Sequence, residues 1–306
     1  MSARAIWIDT DTAIGVPDAD VDDGLALVQA FHSPEVAVRG VSAVFGNAPL
    51  ADTFPIAREV TARFGPRGCP VHEGASEAAL LGVETDAVRG LAAALEAGPL
   101  TVVALGPLTN VGSLVRLRPE LCARIETVVM VAARRPGQRF LSVPGQPVPF
   151  PDLNFDCDPA AMQALLGTGL PLVFAPWEVS SHVWIEAEDL QRLAGSGPSG
   201  AWLAAHCAPW LEFWRRDLGA KGFNPFDSLA IAAVTHPGLL RGFDAGVWIE
   251  MGPDDRASPL EQAAGAAKPH LLVDPARPGR RGWYTFEPLP ELKPLLLERL
   301  ARPAEV

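Results

Sequence analysis

Ala5-Ile6-Trp7-Ile8-Asp9-Thr10-Asp11 opens as an apolar run and closes on two carboxylates. Asp18, Asp20, Asp22 and Asp23 follow, so six carboxylates lie between one strand end and the next helix start. Like charges a few Å apart repel unless some are protonated or a cation neutralises them, and hard divalent ions favour such oxygen ligands. A solvated acidic loop, with Asp22 or Asp23 only capping a helix, is the plainer alternative. The position favours a site, because open α/β sheets bind ligands beyond the carboxyl ends of buried strands.

Working outward, strand-like apolar runs at 36–44, 100–105, 127–131 and 171–175 alternate with helical patterns at 23–31, 50–64, 85–96, 110–117 and 159–166. This alternation predicts an α/β fold, an open, mainly parallel sheet flanked by helices. Beyond a Gly/Ser/Pro break at 195–200, a helix over 201–217 carries Trp202, His206, Trp210 and Trp214 on one face, either as core packing or as the wall of an apolar pocket. A helix from Phe226 to about 234, strands at 246–250 and 270–273 and a closing helix at 289–300 complete the reading.

No composition break divides the 306 residues, so a single domain over 1–306 is expected. The net charge of −11 and the lack of a polybasic arm argue against a nucleic-acid polymer as partner. Cys69, Cys122, Cys157 and Cys207 lack paired spacing, which fits reduced thiols. With no signal peptide and no apolar run of membrane-spanning length, a soluble cytoplasmic protein without a membrane partner is expected.

Further polar segments stand where strands end or helices begin: Phe45-Gly46-Asn47, Gly106-Pro107-Leu108-Thr109-Asn110, Asp152-Leu153-Asn154-Phe155-Asp156-Cys157-Asp158-Pro159 and Phe226-Asp227-Ser228. Each alone reads as a turn or a capped helix start. In this order, after Asp9-Thr10-Asp11 and with Asp22-Asp23-Gly24 and Pro70-Val71-His72-Glu73-Gly74-Ala75, they resemble the inosine-uridine-preferring nucleoside hydrolase family. Val129-Met130-Val131-Ala132-Ala133 stands where that family has a Met-Gly-Gly turn.

The resemblance implies a Rossmann-like domain that hydrolyses ribonucleosides to ribose and free base around a bound Ca²⁺, held by Asp11, Asp23, the Thr109 carbonyl and Asp227. Asp22, Asn47, Asp152 and Asn154 would grip the ribose, with Asp152 one methylene shorter than the family's usual Glu. Asp11 would be the catalytic base. A homodimer or homotetramer is implied likewise.

Three departures from the family pattern bear on mechanism. Ten residues at 12–21 replace three, as a candidate lid whose Asp18 and Asp20 are expected to be exposed, the alternative being that they touch a second ion or the substrate. Phe226 stands where the pyrimidine-accepting branch has a His acid. This favours purine stacking on Phe226 with Trp177, Trp184 or a Trp of the 202–214 helix, and leaves His182 and His206 as replacement acids. The stretch after Gly74 lacks a family segment that helps cover the base.

Two rivals remain open. A haloacid dehalogenase-type phosphatase shares an Asp-x-Asp strand end, but Ala13 stands at its Thr/Val position. A calcium-dependent nucleoside or ribose sensor would have lost catalysis, against which the retained Asp11 argues.

Overall fold

The computed structural model describes residues 3–302. Its strands are β1 (Arg4–Thr10), β2 (Val36–Ala43), β3 (Val71–Glu73), β4 (Leu100–Ala104), β5 (Ile125–Met130), β6 (Leu172–Phe174), β7 (Ile185–Glu186), β8 (Gly222–Phe223), β9 (Leu240–Pro253), β10 (Ala267–Asp274) and β11 (Arg281–Pro288). The α-helices are α1 (Asp22–Phe31), α2 (Leu50–Phe64), α3 (Asp86–Ala97), α4 (Thr109–Leu117), α5 (Leu153–Cys157), α6 (Pro159–Leu166), α7 (Trp177–Ser180), α8 (Ala187–Ala194), α9 (Pro198–Leu218), α10 (Phe226–Thr235), α11 (Pro259–Ala263) and α12 (Leu292–Ala301).

Nine strands form one sheet in the order β10-β9-β11-β6-β5-β4-β1-β2-β3. The run from β3 to β11 is parallel, and β9 and β10 extend it as an antiparallel hairpin. The expected mainly parallel sheet is therefore present. The late strands at 246–250 and 270–273 are longer than expected, and β11 inserts between β9 and β6.

Alternate side chains of the central strands feed two cores, one on each face. Ile6, Ile8, Val103 and Val129 enter one with α1, α9, α10 and α12. Trp7, Val102, Val128 and Met130 enter the other with α3, α4 and α6. Burial on both faces explains why these strands read as continuous apolar runs.

Strand order reverses at β1, which has β2 on one side and β4 on the other. Two crossovers then leave in opposite directions, opening a crevice at the strand carboxyl ends. Asp11 follows β1 directly at this crevice. Among the described residues no helix is long and apolar enough to cross a membrane.

Candidate active site

Asp9 and Asp11, two residues apart at the end of β1, have different surroundings. Asp9 Oδ1 accepts from the Ser42 hydroxyl and from Asn110 Nδ2 (2.9 Å), while Asn110 also donates to the Ala43 carbonyl and accepts from Ala75 N–H. A Cβ on Gly74 would lie 2.3 Å from Asn110 Nδ2, so glycine permits this packing. Asp9, Asn110 and the Gly74-Ala75 segment thus form a buried clamp joining β1, β2 and α4. Burial pushes the Asp9 carboxyl up to about 7.

Asp11 Oδ2 accepts from the Asn47 main-chain N–H at 2.7 Å, whereas Oδ1 is buried without a hydrogen-bond partner. A Cβ on Gly46 would meet Asp11 Oδ2 at 2.0 Å, so only glycine allows the loop this close. Asp23 accepts from Thr10 Oγ1 and from Asn47 Nδ2, the latter at 3.1 Å. Asp22 Oδ2 accepts from the main-chain N–H of Asp227 at 3.2 Å.

One carboxylate oxygen each from Asp22, Asp23 and Asp227 lies within 4.8 Å of the others. These residues occupy the first turns of α1 and α10, whose N-terminal dipoles favour negative charge. Burial, then mutual repulsion, holds Asp11, Asp22 and Asp227 well above the ordinary carboxylate range. Asp23 is also raised by burial, against hydrogen bonds that oppose it. A buried, all-oxygen donor set with an unpartnered Asp11 oxygen fits a hard divalent cation.

The 12–21 segment preserves this arrangement. Ile14 is buried against Gly24, where a Cβ would lie 2.7 Å from its side chain. Asp20 Oδ1 accepts from the N–H groups of Val21 and Asp22 and leads the chain into α1. Asp22 and Asp23 therefore return to the cluster. Asp18 is exposed as expected, but Asp20 is half-buried, and both line the cavity above the cluster.

That cavity has a volume of about 300 Å³. Asn47, Asp22, Asp227, Asp152 and Asn154 lie along its polar part, and Phe140, Phe150, Trp177, Trp210 and Phe226 supply aromatic walls. Asn154 Nδ2 bridges the Leu105 and Val131 carbonyls, tying together the ends of β4 and β5. Asp152 Oδ2 accepts from Ala133 N–H at 3.0 Å, and burial pushes its carboxyl up to about 7. Trp177 stacks on Phe140 at 5.2 Å and donates Nε1 to Ser142 Oγ. Phe150 stacks on Trp214 and meets Phe226 edge-on at 6.3 Å.

Thr109 is not brought to this cavity. Its hydroxyl donates to Asp158 at 2.6 Å, and as the first residue of α4 its carbonyl points along the helix toward Ser113. His206 binds the Trp202 carbonyl through Nδ1 and stacks on that ring, His182 is exposed, and neither lines the cavity. Trp184 packs edge-on against the buried Trp214. Of the four residues on the α9 face only Trp210 reaches the cavity, so that face serves both core and pocket.

Phe140 and Phe150 escaped the sequence reading. They sit in the irregular 135–152 segment, where no periodicity distinguishes a pocket wall from a surface loop.

Comparison with known proteins agrees with this geometry. Residues 6–270 match the family model described as inosine-uridine preferring nucleoside hydrolase. The chain is 27% identical over 262 residues to the pyrimidine-specific ribonucleoside hydrolase RihA of Citrobacter koseri, covering 76% of this chain and 82% of that protein. It is 24% identical over 251 residues to uridine nucleosidase 1 of Arabidopsis thaliana, covering 72% and 73% respectively. Among solved structures, a purine-preferring ribonucleoside hydrolase from Gardnerella vaginalis superposes with a TM-score of 0.78 at 18% identity, over 97% of this chain and 98% of that one. The match across most of the chain removes the phosphatase alternative. The protein belongs to the inosine-uridine preferring nucleoside hydrolase family.

Proposed function

We propose that this protein hydrolyses the N-glycosidic bond of ribonucleosides, purines in preference to pyrimidines, with Ca²⁺ as its resident cation. The observation that carries the reading is one cavity lined by aromatic rings and by Asp22 and Asp227, which form a buried carboxylate cluster with Asp23 just beneath the lining, where Asp11 also lies. Asp11, Asp23 and Asp227 hold the cation, with Asp22 beside them. When bound, Ca²⁺ supplies positive charge that keeps these carboxylates ionised and makes a water in contact with it more acidic.

Asp22, Asn47, Asp152 and Asn154 grip the ribose hydroxyls, which fixes the anomeric carbon above the cluster. Asp11 removes a proton from the attacking water. Positive charge that builds on the sugar as the C–N bond lengthens is stabilised by the surrounding carboxylates. Phe226 and Trp177 hold the base by its faces.

Purine preference rests on Phe226, which presents a ring at the cavity where a hydrogen-bonding side chain would suit a smaller pyrimidine. Relatives divide on this point, with pyrimidine-specific and purine-preferring hydrolases both among them. The test is free-base release by wild type and by Asp11→Asn. Wild type should turn over and the variant should not, while both keep the same circular dichroism. Near-wild-type turnover by the variant would remove Asp11 from its role.

A further inference from the structure

The cavity's charged residues all have one sign. Asp18, Asp20, Asp22, Asp152 and Asp227 line it, and among the described residues no Lys, Arg or His does. The cations that feel these carboxylates from outside the cavity have closer partners: Arg134, which acts on Asp152, pairs with Asp255 and lies over Phe140, and Arg216, which acts on Asp18, pairs with Asp217 on the surface. A divalent cation at the floor offsets only two of the charges that Asp11, Asp22, Asp23 and Asp227 can carry. Asp18 and Asp20 on the 12–21 segment add more to the lining of the cavity that the aromatic rings share.

Expulsion of a neutral base leaves an anion that must be protonated; among the described residues no His, Lys, Tyr or Cys lines the cavity, and Asp152, the lining carboxyl that burial raises, is assigned to the ribose rather than to the base. An aromatic box edged with carboxylates is instead suited to a planar cation. We infer that the favoured substrates are ribonucleosides whose base carries a fixed positive charge, such as N7-alkylated purines or N-ribosyl pyridinium compounds. This rests on the N-ribohydrolase reading above and names the substrate class of that site.

The chemistry balances without an acid. Water oxygen bonds to C1′ and its proton passes to Asp11. The C1′–N bond breaks with its electron pair going to nitrogen, which cancels the positive charge, so the base departs neutral. Asp11 then returns the proton to solvent. Asp18 and Asp20 attract the cation and touch no reacting atom, so they are specificity-determining residues.

The experiment compares N7-methylguanosine with guanosine, and 3-carbamoyl-1-ribosylpyridinium with uridine, in wild type and Asp18→Asn. Asp18 has φ 58°, a left-handed conformation that Asn also adopts readily, so the variant removes charge without demanding a new backbone. Wild type should favour each cationic substrate in kcat/KM. Because cationic nucleosides are intrinsically more labile, the decisive readouts are binding ones. Asp18→Asn should raise KM for N7-methylguanosine about threefold to tenfold and leave that for guanosine unchanged. Added salt should raise the cationic KM alone. The non-hydrolysable 1-methyl-3-carbamoylpyridinium should inhibit competitively and more strongly than neutral nicotinamide.

Equal or better use of the neutral partners, or equal effects of Asp18→Asn on both members of a pair, overturns this inference and leaves the hydrolase standing. No base release from any of the four overturns both.

Discussion

Ala133 donates its main-chain N–H to Oδ2 of Asp152 at 3.0 Å from a left-handed backbone, φ 80°. An L-residue with a Cβ pays roughly 1–2 kcal/mol for that conformation, whereas glycine adopts it freely. The bond joins the two ends of the segment that carries Phe140 and Phe150 into the cavity. Ala133→Gly should therefore stabilise the protein by about 1 kcal/mol in denaturant unfolding, with turnover unchanged. A destabilised variant would show that the methyl group packs more favourably than the strain costs.

Removing a carboxylate from the floor should have opposite effects with and without metal. Asp227→Ala should weaken calcium binding by at least about tenfold, because affinity follows the charge and number of oxygen ligands. The calcium-dependent rise in Tm should shrink with it. Without metal, the variant should be no less stable than wild type, since one repelling buried charge is gone. Calorimetric titration and thermal melts read both effects. An unchanged calcium affinity would displace Asp227 from the metal shell.

Phe226 allows a test of base preference. Phe226→His replaces a stacking ring with one that can donate a proton, so it should lower kcat/KM for inosine and raise it for uridine. The ratio should move about tenfold toward the pyrimidine. A loss equal for both nucleosides would mean that Phe226 only packs against Phe150 and Trp214.

Acid should stabilise the metal-free protein. Asp9 and Asp152 have folded-state values of about 7, raised chiefly by burial, so the folded protein binds more protons than the unfolded chain above the ordinary carboxylate value of 3.8. Stability from these groups is fully present below pH 3.8, declines as pH rises toward 7 and levels off above it. Each contributes on the order of a few kcal/mol at most. The Tm in chelator should fall between pH 5 and pH 8, and calcium should restore much of the loss at pH 8 by stabilising the neighbouring cluster. A Tm that rises over that interval in chelator would contradict this account.

The parallel sheet was legible because its central strands are buried on both faces and its helices recur between them. Asp11, Asp22 and Asp23 stood out by the density of carboxylates at one strand end and helix start, whereas Asp227, far along the chain, was joined to them by the family resemblance alone; the structure gathers Asp22, Asp23 and Asp227. The β9–β11 region was only partly legible, since long half-exposed strands lack a continuous apolar run. Thr109 was drawn to the metal by resemblance alone, while its place at the first turn of α4 turns its carbonyl away. Asp20 read as an exposed lid residue, yet its bonds to Val21 and Asp22 N–H pull it toward the cavity.

The most direct measurement is chromatographic detection of free base from inosine, adenosine, guanosine, uridine and cytidine, with calcium supplied and then chelated. Release that depends on calcium and ranks purines above pyrimidines is the predicted result. Calcium bound at the cluster with no base released from any nucleoside, including the cationic pairs, would contradict the account and leave a binding protein in place of a hydrolase.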